Sequence, residues 1–179
     1  MSLLEFLGVS RTNRSRTSET PLVQMLRDQL AGHDLGQVER IAAYAGLLVR
    51  VAHVDVEVSD AERMKLVEVI EQHLSVTAEQ ARRIGDLVIR QATELEGIEY
   101  SLLTRAVNDF ADPEEKERLV DCLYAVATAD GRISVAEDDE IRAVARALLL
   151  SHGQFIRIRQ RFKDALEVIQ SLRAIERSS

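Results

Sequence analysis

Four acidic residues flank two short segments, each of which separates two predicted helices. Asp55 and Glu62 flank the first turn, and Asp130 and Glu137 flank the second. Their oxygens, together with backbone carbonyls of the turn, could converge on a hard divalent cation such as Ca²⁺. One such turn supplies too few carboxylates for tight binding. We therefore expect a cation site only if the two turns face each other and combine all four residues.

The same pattern also has a purely local explanation. Ser59 with Glu62, and Ser134 with Glu137, match the capping box, in which each side chain binds the other residue's backbone amide at a helix start. The two aspartates lie at helix C-termini, where the helix dipole disfavours a carboxylate by a few tenths of a kcal/mol, roughly. Asp nevertheless tolerates turn conformations well. Capping and cation binding both remain open.

An EF-hand is excluded, although the segment 130–137 is similar to the second half of such a loop. In that register the first and third ligand positions would be Val126 and Thr128, and valine cannot bind a cation. The first turn also has Val56 where the second turn has Gly131. The turns therefore need a different ligand arrangement if they bind a cation.

Both turns belong to an internal repeat with a constant offset of 75 residues. Each copy reads Val-Ala, two residues, Asp, two residues, Val or Ile, Ser, one residue, Ala-Glu. An ungapped match of this kind indicates duplication and predicts two similar helical hairpins with approximate internal symmetry. The repeats cover about residues 38–75 and 113–150.

Helix start signals are frequent and strand signals are missing. Aromatic residues make up 4% of the chain and Trp is absent, so Ala, Leu, Val and Ile must fill the core. Capping residues followed by helical apolar spacing predict helices after Thr20, near Gln37, after Ser59, after Thr77, near Glu99, after Asp112, after Ser134 and after Ser151. We expect the last helix to continue past Leu172. The predicted fold is an all-α helical bundle of two pseudo-symmetric helix–turn–helix repeats.

The chain divides into a short N-terminal region and one domain. Residues 1–20 combine a short apolar segment with a flexible polar linker, and residues 21–179 form a single helical domain. The apolar segment is too short for a convincing membrane anchor, which leaves peripheral membrane association as a weak alternative. Without a run of 18 apolar residues or a signal-peptide pattern, we expect no transmembrane segment and a cytoplasmic protein. The lone Cys122 is expected to be a buried structural thiol.

Composition and motifs argue against several function classes. The net charge of −7 disfavours nonspecific binding to nucleic acid. The basic residues from Arg157 to Lys163 are interpreted as a solvated helix face, and the acidic run 137–140 as a solvated helix start. No zinc-type spacing, phosphate-binding loop or nucleophile motif occurs, so we do not expect an enzyme.

The Ala129-Asp130-Gly131 turn and the repeated Ser-x-x-Glu opening resemble the tellurite-resistance TerB-like family, over roughly residues 38–165. The resemblance, to small stand-alone bacterial members, implies an all-helical domain with paired repeats and a link to tellurite or general chemical stress. It also implies a proposed metal-binding role for the acidic turn residues, here Asp55, Glu62, Asp130 and Glu137. Val56 departs from the pattern and puts the geometry of the first turn in doubt.

Two hypotheses follow from these observations. In the first, the protein is a non-catalytic module of a stress response that binds a divalent cation such as Ca²⁺ and no other cofactor. In the second, it is a metal-independent adaptor that docks a protein partner in a groove between the helical repeats. In either case we expect a monomer or weak dimer.

Overall fold

The computed structural model describes residues 20–54, 58–94 and 97–166. Within these ranges the chain forms eight α-helices and no strand beyond one isolated bridge. The helices are α1 (Pro21–Gln29), α2 (Leu35–Ala52), α3 (Asp60–His73), α4 (Ala78–Gln91), α5 (Gly97–Phe110), α6 (Pro113–Ala127), α7 (Val135–Ala147) and α8 (His152–Arg161). The all-α prediction is confirmed. The predicted N-terminal apolar segment lies outside the described residues.

Local capping explains where most helices begin. Thr20 caps α1, with Pro21 at the first helical position, where a missing amide hydrogen costs nothing. Complete capping boxes open six further helices, at Asp34, Ser59, Thr77, Asp112, Ser134 and Ser151. Because each box satisfies two amides that a helix start otherwise leaves unpaired, these short motifs fix the starts locally.

Helix α2 is the centre of the core and packs against α1 and against α3 to α7. Nearly all of its residues from Val38 to Ala52 are buried. Gly46 allows Leu103 of α5 to approach the α2 backbone, because an added Cβ would collide with the leucine side chain. Such close packing of small and large side chains is how helices with few aromatic residues reach the density of a protein interior.

The two halves of the domain differ in how their last two helices pack. Helix α3 packs closely along α4, whereas α7 and α8 make few contacts with each other and pack mainly on α6. Gly85 of α4 lies against α3, where an added Cβ would come within 2.8 Å of Val67 Cγ2. The α3 and α4 helices therefore pack tightly at Gly85. The α7–α8 interface lacks a comparable close contact.

The expected continuation of the last helix is wrong. Helix α8 ends at Arg161, and residues 162–165 form a turn. The amide of Ile133 then donates to the carbonyl of Ala165 at 2.8 Å, and Ile133 forms a parallel bridge with Leu166. Both bridge residues are buried. Burial of these two side chains and the new backbone hydrogen bond favour a turn over another helical turn pointing into solvent.

Among the described residues, no helix combines the length and the apolar character needed to cross a membrane. Cys122 lies buried on α6, as expected for a structural thiol. Burial raises the pKa of its thiol to about 11. The thiol therefore stays protonated and poorly nucleophilic at neutral pH.

Candidate functional site

The two glutamates predicted at the site bind the backbone at their own helix starts. Glu62 Oε2 accepts from the Ser59 amide at 2.8 Å, and Glu137 Oε2 accepts from the Ser134 amide at the same distance. Both glutamates are buried. The structure therefore gives each of them the capping role that the sequence had left as one of two explanations.

The structure describes one of the two predicted aspartates. Asp130 is exposed, and its Oδ1 accepts from the Arg132 amide at 3.0 Å in a turn where Gly131 has a φ of 93°. Asp55 lies outside the described residues. Within the described ranges, no three His, Cys, Asp or Glu side chains come together in a way that could hold a metal ion. The complete set of four carboxylates stays a prediction.

The second acidic turn (residues 128–134) has a neighbour that the sequence did not indicate. The hydrogen bond from Ile133 to Ala165 places the turn after α8 beside it, and this turn includes the exposed Asp164. We missed this neighbour because we expected α8 to continue. A pairing of two single residues across 33 positions leaves no pattern that could be read from the sequence.

Asp138 is the centre of a buried polar network that joins α6, α7 and α8. Its carboxylate accepts from the Tyr124 hydroxyl at 2.7 Å and from Arg159 through Nε at 2.9 Å and Nη2 at 2.9 Å. Arg142 adds a longer contact of 3.3 Å. Burial raises the pKa of Asp138, but the hydrogen bonds from Arg159 and Tyr124 and the nearby positive charges outweigh burial and lower it. The carboxylate is therefore charged at neutral pH.

Two sequence interpretations need correction here. The acidic run is not uniformly solvated, because Asp138 is buried while Asp139 is exposed. The basic residues of α8 are not a plain solvated face either, since Arg159 enters the network and its neighbours pair with α6. One signal was available: Arg159 follows the buried Phe155 by four positions, which places both on one helix face.

A pocket of about 360 Å³ opens between α7 and α8, next to this network. It is lined by Arg142, Ala145, Arg146, Leu150, His152, Phe155, Ile156 and Arg159. The lining thus combines three guanidinium groups with an apolar floor and includes no acidic side chain. Phe155 also contacts Arg142, whose guanidinium carbon lies 5.7 Å from the ring centroid.

A second pocket of about 360 Å³ lies on the other side of α7, where α2 and α5 meet it. It is lined by Arg50, Ser101, Thr104, Arg105, Asn108 and Ala147. Arg50 forms an ion pair with Glu140, and its guanidinium carbon lies 4.7 Å from the centroid of the Tyr100 ring. Because α2 belongs to the first predicted repeat and α7 to the second, this is a groove between the two halves of the domain. We call it the inter-half groove.

A comparison with known protein families identifies a match for most of the chain. The family model described as "Tellurite resistance protein TerB" matches residues 40–160, which is more than half of the chain. No curated protein and no solved structure matches the chain. The matched range includes both acidic turns and all helices from α3 to α7, together with nearly all of α8. With its all-helical fold and its two capped acidic turns, this chain belongs to the TerB family.

Proposed function

We propose that this protein is a non-catalytic, metal-independent adaptor that docks a partner protein in the inter-half groove. The observation that carries the proposal is the groove itself, which is open, polar and lined by two arginines and no acidic side chain. The family description, a tellurite resistance protein, supports placing this activity in a stress response.

The partner chemistry follows from the lining of the groove. Arg105 is exposed on α5, beside Ser101, while Thr104 and Asn108 add further polar groups. Because Arg50 is already paired with Glu140, Arg105 is the cation that the groove offers to a partner, and it favours an acidic partner segment. A helix or tail with Glu or Asp side chains would pair with Arg105 and offer a hydrogen-bond acceptor to the hydroxyl of the exposed Ser101, since the buried Thr104 hydroxyl already donates to the Tyr100 carbonyl.

The capping role of the two glutamates supports metal independence. The buried Glu62 and Glu137 already accept hydrogen bonds from the amides of Ser59 and Ser134. A cation bound to these oxygens would have to compete with the helix caps, which typically contribute about 1 kcal/mol each.

Site-specific photocrosslinking in cells tests this proposal. A photoreactive amino acid replaces Ser101 in the groove or, as the control, the exposed Met64 on α3. We expect a discrete protein adduct at position 101 that persists in the presence of EDTA and disappears with Arg105→Glu. No adduct at position 101, or the same adduct at position 64, would reject the groove as a docking site.

Cation binding by the acidic turns is a second candidate. It is supported by the exposed carboxylate of Asp130 and by the position of the Asp164 turn beside it. In this alternative Asp55, Glu62, Asp130 and Glu137 would be the ligands.

A thermal unfolding experiment with 5 mM Ca²⁺, roughly a thousandfold above the affinity range of cation sensors, tests the second candidate. We expect a rise in Tm that the pair Asp55→Asn and Asp130→Asn abolishes. The pair Asp28→Asn and Asp109→Asn makes the same charge change at exposed positions elsewhere and serves as the control. An unchanged Tm in the unmodified protein would eliminate this candidate.

A further inference from the structure

The pocket between α7 and α8 has a composition that neither predicted function uses. Three arginines line it, and Leu150, Phe155 and Ile156 supply apolar surface beside them. Arg142 and Arg159 are directed toward Asp138, which they contact at 3.3 and 2.9 Å. Arg146, in the last turn of α7, forms no ion pair with any residue in the described ranges. Within the described ranges, one guanidinium on the rim therefore has no carboxylate partner and can receive a ligand.

The first half of the domain shows that this pocket is not a general property of the fold. Counted from the N-caps, Gly85 of α4 occupies the position of Arg159 in α8, and Val67 of α3 that of Arg142 in α7. In the first half Val67 and Gly85 touch and close the interface. In the second half two long cationic side chains occupy the same positions.

Two other residues that line the pocket also differ in charge or size from their counterparts in the first half. Arg146 has Glu71 as its counterpart, and Phe155 has Ala81. The second half therefore gains positive charge and apolar surface together, and both line one concave site. A ligand that matches both features has an anionic group next to an apolar body.

We infer that the α7–α8 pocket binds a small organic anion, with its carboxylate on Arg146 and its apolar chain on Phe155, Ile156 and Leu150. A volume of about 360 Å³ is within the range of small-molecule sites. Guanidinium groups bind carboxylates through paired, charge-assisted hydrogen bonds, which favours an acid over a neutral analogue of equal size. This inference is independent of the adaptor function, since the inter-half groove is a separate site.

Titrations of ¹⁵N-labelled protein with hexanoate, followed by NMR, test the inference. We expect shifts in the amides of Arg146, Leu150 and Phe155 and a dissociation constant of about 1 mM, typical of a ligand with so few heavy atoms. Hexanamide, which has the same apolar chain without the charge, should bind at least about tenfold more weakly.

Two substitutions in the pocket test its charged part and its apolar part separately. Arg146→Gln should weaken hexanoate binding about tenfold, while Arg90→Gln, in the last turn of α4 and outside the pocket, should leave it unchanged. Ile156→Ala, at a half-buried position, should weaken the acid and the amide alike. Equal binding of hexanoate and hexanamide, or equal effects of the two arginine variants, would overturn the inference. Unchanged melting curves will show that Arg146→Gln is folded.

One further titration distinguishes a free organic acid from the C-terminus of another protein as the ligand of the pocket. The peptide acetyl-Ala-Ala-Ala-Leu has the same combination of apolar side chain and terminal carboxylate. Tighter binding of this peptide than of hexanoate would assign the pocket to the C-terminus of another protein. Tighter binding of hexanoate would assign it to a free organic acid. If neither ligand shifts the pocket amides at 10 mM, roughly ten times the expected dissociation constant, the inference is wrong.

Discussion

The α3–α4 and α7–α8 helix pairs each follow one of the two acidic turns in the chain, but they are joined in opposite ways. Arg63 of α3 pairs with Asp86 of α4 at 2.6 Å, with 50% and 36% of the two side chains exposed. Asp138, at the position of Arg63 counted from the N-cap, pairs with Arg159 while only 9% of its side chain is exposed. The order of charges is reversed, and this pair is less exposed, with 27% of the Arg159 side chain accessible.

This difference shows how one arrangement of helices can support either a closed interface or a pocket. In the first half an apolar contact between Val67 and Gly85 holds the helices together, and the exposed ion pair adds little. In the second half the Asp138–Arg159 ion pair joins α7 and α8, and a pocket lies between the two helices. A buried polar network therefore replaces close packing.

Among the substitutions considered, removal of the Asp138 carboxylate should lower the free energy of unfolding the most. Asp138→Ala leaves the Tyr124 hydroxyl and the Arg159 guanidinium without their partner, so we expect the free energy of unfolding to fall by about 3 kcal/mol. Arg63→Ala, which breaks the exposed pair of the first half, should cost less than about 1 kcal/mol. Urea denaturation of both variants measures the difference. Equal losses would refute the contrast between the halves.

The closed interface should be sensitive to a single methyl group. Gly85→Ala places a Cβ within 2.8 Å of Val67 Cγ2, so we expect a net loss of about 1–2 kcal/mol despite the better helix propensity of alanine. Gly153→Ala on α8 meets no atom within 4 Å and should be neutral or stabilising by up to about 1 kcal/mol. Addition of Val67→Ala should recover part of the Gly85→Ala loss, which thermal unfolding of the double variant can show.

The buried network should also give the second half a distinct acid sensitivity. The pKa of Asp138 is lower in the folded than in the unfolded chain, so its contribution is complete above the unfolded value of about 4. That contribution is lost as the pH falls through the lower folded value. We expect the stability difference between the unmodified protein and Asp138→Asn to shrink as the pH falls from 6 to 3, roughly the range over which such carboxylates protonate. A constant difference would contradict the assigned pKa direction.

The sequence predicted the features that depend on a few neighbouring residues. The cap at Ser59 and the one at Ser134 begin helices as expected, because a capping box needs only four consecutive residues. The all-α class and the TerB family followed from the same motifs. A common origin of the two halves stays a prediction, as does any role of Asp55.

Features that depend on the distance between helices could not be predicted. Arg142 of α7 and Arg159 of α8 line the pocket, and no local sequence pattern fixes the separation of these two helices. Asp138 looked like one more acid in a helix start, since its burial comes from Tyr124 on another helix. Even a correct assignment of Arg159 to the buried face of α8 would not have identified Asp138 as its partner.

The pairing of Ile133 with Leu166 has a practical consequence for any shortened form of the domain. A fragment that ends at residue 160, where the family match ends, would lack the carbonyl of Ala165 that receives the Ile133 amide. It would also uncover Ile133, which is 1% exposed in the intact chain. Truncation at residue 160 would therefore destabilise the second acidic turn, although the turn lies about thirty residues earlier in the chain. A fragment meant to preserve this turn has to extend at least to Leu166.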